Sequence, residues 1–100
     1  MTVEFITEEL LNFYVGNQKG KPRFQESVLK QYRKVIDLVI SVDNFNDLRK
    51  FKSLNLHSLE KELSGKFAIR VNMKYRIVFS LIEDDIQIEG ILVEDLTDYH

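Results

Sequence analysis

The most regular alternation of apolar and polar residues lies between positions 66 and 81. Every second side chain is apolar on either side of an interruption at Asn72, the set being Phe67, Ile69, Val71, Tyr75, Ile77, Phe79 and Leu81. A period of two predicts β-strands, because successive side chains point to opposite faces of a sheet. We expect a β-hairpin whose turn holds Asn72, a residue that tolerates left-handed backbone angles. The other face carries Arg70 and Arg76, with Lys66 at the entrance and Lys74 at the turn.

Helical periodicity dominates the first half of the chain. Thr7 is the predicted N-cap of a helix over residues 8–15, which ends at Gly16. A longer helix is predicted from Pro22, in its first turn, to about Val42. Its apolar residues recur every three or four positions: Phe24, Val28, Tyr32, Val35, Ile36, Val39 and Val42. A short helix is expected after Asp43 or Asn44.

The remaining segments are shorter. Residues 3–6 predict a strand, and residues 52–64 predict irregular chain laid over the core by four leucines. Asp84 and Asp85 predict a turn into a last strand over residues 86–93, with a bulge at Gly90.

The predicted order of elements is strand, helix, helix, strand, strand, strand, which indicates an α+β fold. We expect one domain over residues 1–100. It would hold a small antiparallel sheet, mixed at its edge, with two to three N-terminal helices packed on one face. The other face would be open and would carry Arg70 and Arg76.

Composition narrows the classes of protein. The chain has no cysteine and only two histidines, so we expect neither a disulfide framework nor a metal site, and no cofactor. It shows no secretory signal and no membrane-length apolar run, so we expect a cytoplasmic protein. The net charge of −2 conceals a segregation: residues 49–81 are mainly basic, whereas no Lys or Arg follows position 81. The basic middle either binds an anion or is neutralised by the acidic last strand.

Three blocks of residues, taken in order, resemble the HigB-like toxins of the RelE/ParE superfamily. They are Leu56-His57-Ser58-Leu59 followed by residues 64–72, then Tyr75-Arg76-Ile77-Val78-Phe79, then the terminal Asp98-Tyr99-His100. The likeness covers the second half of the chain, and the first half agrees in element order. It implies a RelE-like fold.

The resemblance also implies a function, which is that of the toxin in a type II toxin–antitoxin system. Such toxins are metal-independent endoribonucleases that enter the ribosomal A site and cut the messenger by attack of a 2′-hydroxyl on the adjacent phosphate. The implied partners are ribosome-bound mRNA and a small helix-turn-helix antitoxin, in a hetero-oligomer. No membrane partner is implied.

Site residues follow from the same resemblance. His57 and His100 are the acid and base candidates, since histidine titrates near neutral pH. Asp98 would orient one of them or act as base, Arg76 would stabilise charge on the phosphate, and Tyr99 would stack on or hydrogen-bond RNA. Lys66 and Arg70 would bind flanking phosphates. Many HigB-like toxins have Lys three residues after the first histidine, where this chain has Glu60. Either Lys61 takes that role through a shifted backbone, or the site is weaker.

Other interpretations of the same residues stay open. His57 could be a partly buried structural residue, His100 a frayed terminus, and Arg76 a partner of a carboxylate in the last strand. In function, the chain could be a ParE-like inhibitor of DNA gyrase without catalytic activity. It could also be a degenerate toxin that only binds its antitoxin.

Overall fold

The computed structural model describes residues 1–17 and 20–98. The elements in chain order are β1 (Thr2–Phe5), α1 (Glu8–Val15), α2 (Glu26–Ser41), α3 (Phe45–Leu48), β2 (His57–Ser58), β3 (Phe67–Arg70), β4 (Tyr75–Glu83) and β5 (Ile88–Asp98). Two single 3₁₀ turns, Lys52–Leu54 and Lys61–Leu63, flank β2. No helix in the described part of the chain is long and apolar enough to cross a membrane.

The strands form one five-stranded sheet in the order β1-β5-β4-β3-β2. β1 runs parallel to β5, and the other pairs are antiparallel. The α+β fold with an antiparallel sheet and one mixed edge is therefore confirmed. β4 and β5 are the long central strands, so they carry most of the pairing on which the sheet depends.

The helices cover one face of this sheet. The predicted apolar set of the hairpin turns toward them, and Ile69, Ile77 and Phe79 are fully buried there. Removing this apolar surface from water is the main stabilising term of the fold. Tyr32 of α2 lies at the centre of the core, where its hydroxyl donates to the Leu10 carbonyl at 2.9 Å.

The ends of α1 follow the sequence prediction. The Thr7 side chain accepts a hydrogen bond from the Leu10 amide at 3.2 Å, which satisfies one of the free amides of the first turn. Gly16 ends the helix with φ of 76°, a left-handed conformation that glycine adopts without steric cost.

The predicted start of the long helix is wrong by four residues. α2 begins at Glu26, and Pro22 lies in the preceding loop. The reason is tertiary: Phe24 packs edge-to-face on Phe13 at 5.6 Å and on Tyr75 at 5.3 Å between ring centroids. The loop bends so that Phe24 reaches these rings, and the helix starts only after Gln25.

The hairpin turn forms where predicted, but Asn72 acts differently from the prediction. Its φ is not positive. Instead, its side-chain oxygen accepts from the amides of Lys74 at 2.9 Å and Tyr75 at 2.7 Å. Asn72 therefore stabilises the turn as a hydrogen-bond acceptor.

The segment over residues 52–64 is more regular than predicted. It contains β2 as well as the two 3₁₀ turns. Asn55, at the end of the first turn, and Lys61, at the start of the second, adopt positive φ of 47° and 58°. Leu54 and Leu59 are buried, as expected of anchors, whereas Leu63 is 39% exposed. Short-range sequence patterns do not reveal a strand of two residues, because only its pairing with β3 makes this segment a strand.

The last strand is longer than predicted and runs to Asp98. Its register with β4 shifts twice, once beside Gly90 as expected and once beside Glu94. Gly90 pairs with Thr2 of β1, and a Cβ there would lie 2.1 Å from the Thr2 carbonyl oxygen. A side chain at position 90 would therefore separate β1 from the sheet.

Tyr32→Phe should lower the free energy of unfolding by about 1 kcal/mol, because it deletes a buried hydrogen bond to the Leu10 carbonyl. Tyr14→Phe is the matched control. It also deletes a hydroxyl, but one that donates to Asp37 at the surface, and its cost should stay below about 0.5 kcal/mol. Urea denaturation at pH 7 measures both, and equal losses would contradict the central position of Tyr32.

Candidate functional site

Two arginines lie side by side on the sheet face that points away from the helices. Arg70 of β3 is directly opposite Arg76 of β4, and Arg76 is opposite Thr97 of β5. Like charges directly opposite on neighbouring strands repel each other and destabilise a sheet. Two adjacent guanidinium groups therefore form a position where a bound anion would be stabilising.

Backbone carbonyls hold one of these arginines in place. Nη1 of Arg76 donates to the carbonyls of Asn72 at 2.8 Å and Tyr75 at 3.2 Å. Within residues 1–17 and 20–98, neither Arg70 nor Arg76 forms an ion pair with a carboxylate, and Nε of each is buried without a hydrogen-bond partner. The alternative that Arg76 pairs with a carboxylate of the last strand is not seen in this part of the chain.

β2 brings His57 onto the same face. His57 pairs with Ala68, and Arg70 follows two residues later along β3. Strand spacings place the Cα of His57 about 8 Å from that of Arg70 and about 12 Å from that of Arg76. The three side chains therefore share one face of the sheet, on three neighbouring strands.

A backbone carbonyl orients the His57 ring. Nδ1 lies 2.8 Å from the carbonyl oxygen of Asn55, so in the neutral ring Nδ1 carries the proton and donates it. The lone pair of that tautomer is on Nε2. The Asn55 carbonyl therefore holds the half-buried ring in a defined tautomer.

This face is less open than the sequence predicted. Leu59 packs against Ala68 and Val78 and forms a small second cluster on the side away from the helices. The expectation of a fully open face is wrong, because the chain after β2 folds back over it and Leu59 gains burial there. The cluster separates His57 from the acidic side of the face.

A cleft of about 410 Å³ lies on that acidic side. Its lining comprises Leu63, Lys66, Val78, Glu94, Asp95, Thr97 and Asp98. Nζ of Lys66 is 2.5 Å from Oε1 of Glu94, so the charge of this predicted phosphate ligand is already neutralised. The cleft is therefore net negative beside the arginines, in line with the expectation that the acidic last strand offsets the basic hairpin.

Glu94 is a site residue that the sequence reasoning missed. Burial raises the pKa of its carboxyl, but hydrogen bonds from Lys66 and Ser80 outweigh burial and hold the pKa below its usual value. The signal was the spacing of Val93 and Leu96. Both are buried but lie three residues apart, which breaks the period of two and indicates an extra residue in the strand.

Two further predicted site residues, Asp98 and Lys61, lie within the described ranges. Asp98 ends β5 opposite Tyr75, and its Oδ2 is 3.8 Å from Nζ of Lys74. Lys61 is exposed in the second 3₁₀ turn, just after Glu60. Tyr99 and His100 lie outside the described residues. In the described ranges, no group of three or more His, Asp or Glu side chains is arranged to hold a metal ion.

Comparison with known protein families shows the family of the chain. A family model described as HigB-like toxin, the RelE-like toxin of the type II toxin–antitoxin system HigB, matches residues 3–100. The chain belongs to the HigB-like toxin family. A search of curated proteins finds no match.

Solved structures of related toxins share the fold of this HigB-like chain. A YoeB/ParE toxin from Agrobacterium tumefaciens matches with a TM-score of 0.58 at 10% identity, covering 100% of both chains. The H87Q mutant of YafQ from E. coli matches with a TM-score of 0.60 at 12% identity, over 97% of this chain and 91% of that one. A YoeB–YefM toxin–antitoxin complex from Staphylococcus aureus matches with a TM-score of 0.54 at 18% identity, over 100% and 97%. At these identities the likeness establishes the fold alone.

Glu94→Gln should reduce the dependence of stability on acid pH. The pKa of Glu94 is lower in the folded state than in the unfolded chain, so its contribution is present above the unfolded value and is lost as pH falls through the folded one. The parent should therefore lose more unfolding free energy than Glu94→Gln between pH 7 and pH 3. Urea denaturation across this range measures the difference, with the exposed Glu62→Gln as control. Parallel curves for parent and Glu94→Gln would contradict the assignment.

Proposed function

We propose that this HigB-like toxin is a ribosome-dependent endoribonuclease that cleaves mRNA without a metal ion. The observation that carries the proposal is the placement of His57, Arg70 and Arg76 on one sheet face, with Cα separations of about 8 Å and about 12 Å from His57 to the two arginines. Membership of the HigB-like family supports it.

The proposed reaction is attack of a ribose 2′-hydroxyl on the adjacent phosphorus, followed by departure of the 5′-oxygen. His57 accepts the proton of the 2′-hydroxyl at Nε2, because the Asn55 carbonyl holds the proton on Nδ1. The products are a 2′,3′-cyclic phosphate and a free 5′-hydroxyl once a general acid has protonated the leaving oxygen.

Arg70 and Arg76 stabilise the extra negative charge that forms on the phosphate during attack. Arg76 is held in advance by the carbonyls of Asn72 and Tyr75, so little reorganisation is needed when substrate binds. Both guanidinium groups lie on a β-sheet, which fixes their positions better than a loop would.

The remaining roles stay proposals from the family resemblance. His100 is the proposed general acid, Asp98 orients it, and Tyr99 contacts a base. Lys61, next to Glu60, takes the role of the lysine that many HigB-like toxins have three residues after the first histidine, and it binds RNA. Lys66 binds a flanking phosphate only when that phosphate replaces Glu94 as its partner.

A cognate antitoxin is the proposed protein partner, in a hetero-oligomer, by analogy with the toxin–antitoxin complexes named among the similar structures. We propose a small helix-turn-helix protein in this role. Action on ribosomes places the toxin in the cytoplasm.

His57→Ala and Arg76→Ala should each lower messenger cleavage by about 100-fold or more, because one removes the base and the other removes charge stabilisation. The measurement is induction of the toxin in translating cells, followed by mapping of new 5′ ends on messengers. Lys30→Ala, an exposed cation of α2, is the control and should cleave like the parent. Undiminished cleavage by His57→Ala would exclude the proposed base.

The acidic cleft beside the arginines favours one other function, a toxin that only binds its antitoxin. Growth arrest on induction without antitoxin would exclude that function. Growth arrest without new messenger ends would instead favour the ParE-like alternative. A supercoiling assay with purified gyrase detects the inhibition that this alternative predicts.

A further inference from the structure

A second cleft lies just before β2, next to the proposed base. Its volume is about 350 Å³, and it is lined by Arg49, Phe51, Lys52, Asn55 and Leu56. No carboxylate contributes to this lining, whereas three contribute to the cleft at β5. This cleft is therefore positively charged, and its polar lining is suited to an anionic ligand.

Both cations of this cleft are available to a ligand. The neighbouring Lys50 pairs with Asp47 at 3.0 Å, but no ion pair in the described ranges involves Arg49 or Lys52. The guanidinium carbon of Arg49 lies 5.6 Å from the ring centroid of Phe45, a cation–π contact that positions it beside the cleft.

Phe51 adds an exposed aromatic face between these cations. It is 40% exposed, whereas the six other phenylalanines are buried or half-buried. Its amide donates to the Leu48 carbonyl at 3.2 Å and its carbonyl accepts from Leu54 at 3.0 Å, so a hydrogen-bonded turn carries the ring. Aromatic rings presented beside Lys and Arg are the arrangement on which single-stranded nucleic acids stack their bases.

One residue, Asn55, connects the cleft to the proposed catalytic face. Asn55 lines the cleft, and its carbonyl oxygen is 2.8 Å from Nδ1 of His57. A strand whose phosphate lies at His57 could therefore continue toward the cleft that Phe51 lines.

We infer that this cleft binds a nucleotide of the substrate RNA strand beside the cleavage position. The base stacks on Phe51, and its phosphate pairs with Arg49 and Lys52. The inference rests on the proposed function, because it extends substrate contacts beyond the scissile phosphate. An acidic peptide would pair with the cations but offers no planar base to Phe51, so RNA fits the whole lining better.

The test measures binding of a short fluorescent single-stranded oligoribonucleotide by anisotropy. The oligonucleotide is 2′-O-methylated throughout, so the proposed reaction cannot cleave it. Phe51→Ala and Phe51→Leu should weaken binding by roughly 5- to 100-fold, since leucine keeps apolar bulk but lacks a stacking face. Phe51→Tyr should bind like the parent. Ile86→Ala, which removes a side chain that is 91% exposed elsewhere, is the control and should also bind like the parent.

Salt dependence tests the phosphate contacts. Arg49→Ala and Lys52→Ala should each reduce the slope of log affinity against log salt by about 0.7, the value for one phosphate contact on a single strand. Lys30→Ala on α2 should leave the slope unchanged. Parent-like binding by Phe51→Leu, or equal slope changes for all three cations, would overturn the inference.

Two other results would also overturn it. An effect of Phe51→Leu on intact ribosomes but not on the oligonucleotide would assign the cleft to ribosomal RNA. If an acidic peptide bound the protein and lost as much affinity on Phe51→Leu as the oligonucleotide does, the cleft would be assigned to a protein partner. Failure of the proposed function is distinguishable: if the parent makes no new messenger ends yet oligonucleotide binding needs Phe51, the nuclease proposal fails and the RNA-binding cleft stands.

Discussion

The alternation of side chains along β4 is the constraint on which the rest of the structure depends. β4 pairs with β3 and β5, so its register determines which residues of both neighbours reach each face. Ile77 and Phe79 turn into the core beneath the helices, and Arg76 therefore turns to the opposite face. The burial that stabilises the fold also brings the two arginines together.

Irregularities in the neighbouring elements decide the electrostatics of that face. The extra residue at Glu94 shifts β5 and brings a carboxylate to Lys66, which ends up paired and unavailable as a free cation. Arg70 and Arg76 have no such partner in the described chain, so their charges are not offset by a carboxylate there. Leu59 further restricts the face by packing on Ala68 and Val78.

Much of the fold was predictable because its signals are local. The caps of α1, the hairpin and the acidic turn each depend on a few adjacent residues, and all form where expected. The late start of α2 and the short strand β2 were not predictable in this way. Phe24 and His57 adopt their positions because of partners distant in sequence, and a pattern within one segment contains no information about them.

By itself the sequence determined the α+β class, the hairpin with its apolar and basic faces, and the likeness to HigB-like toxins, because periodicity and motif order are properties of the chain. Only the tertiary structure decided which charges remain available. Arg70 and Arg76 became neighbours through strand register, and Lys66 was neutralised by Glu94 of the last strand. Such contacts join residues that are separated along the chain, and their distances exist only once the sheet has formed.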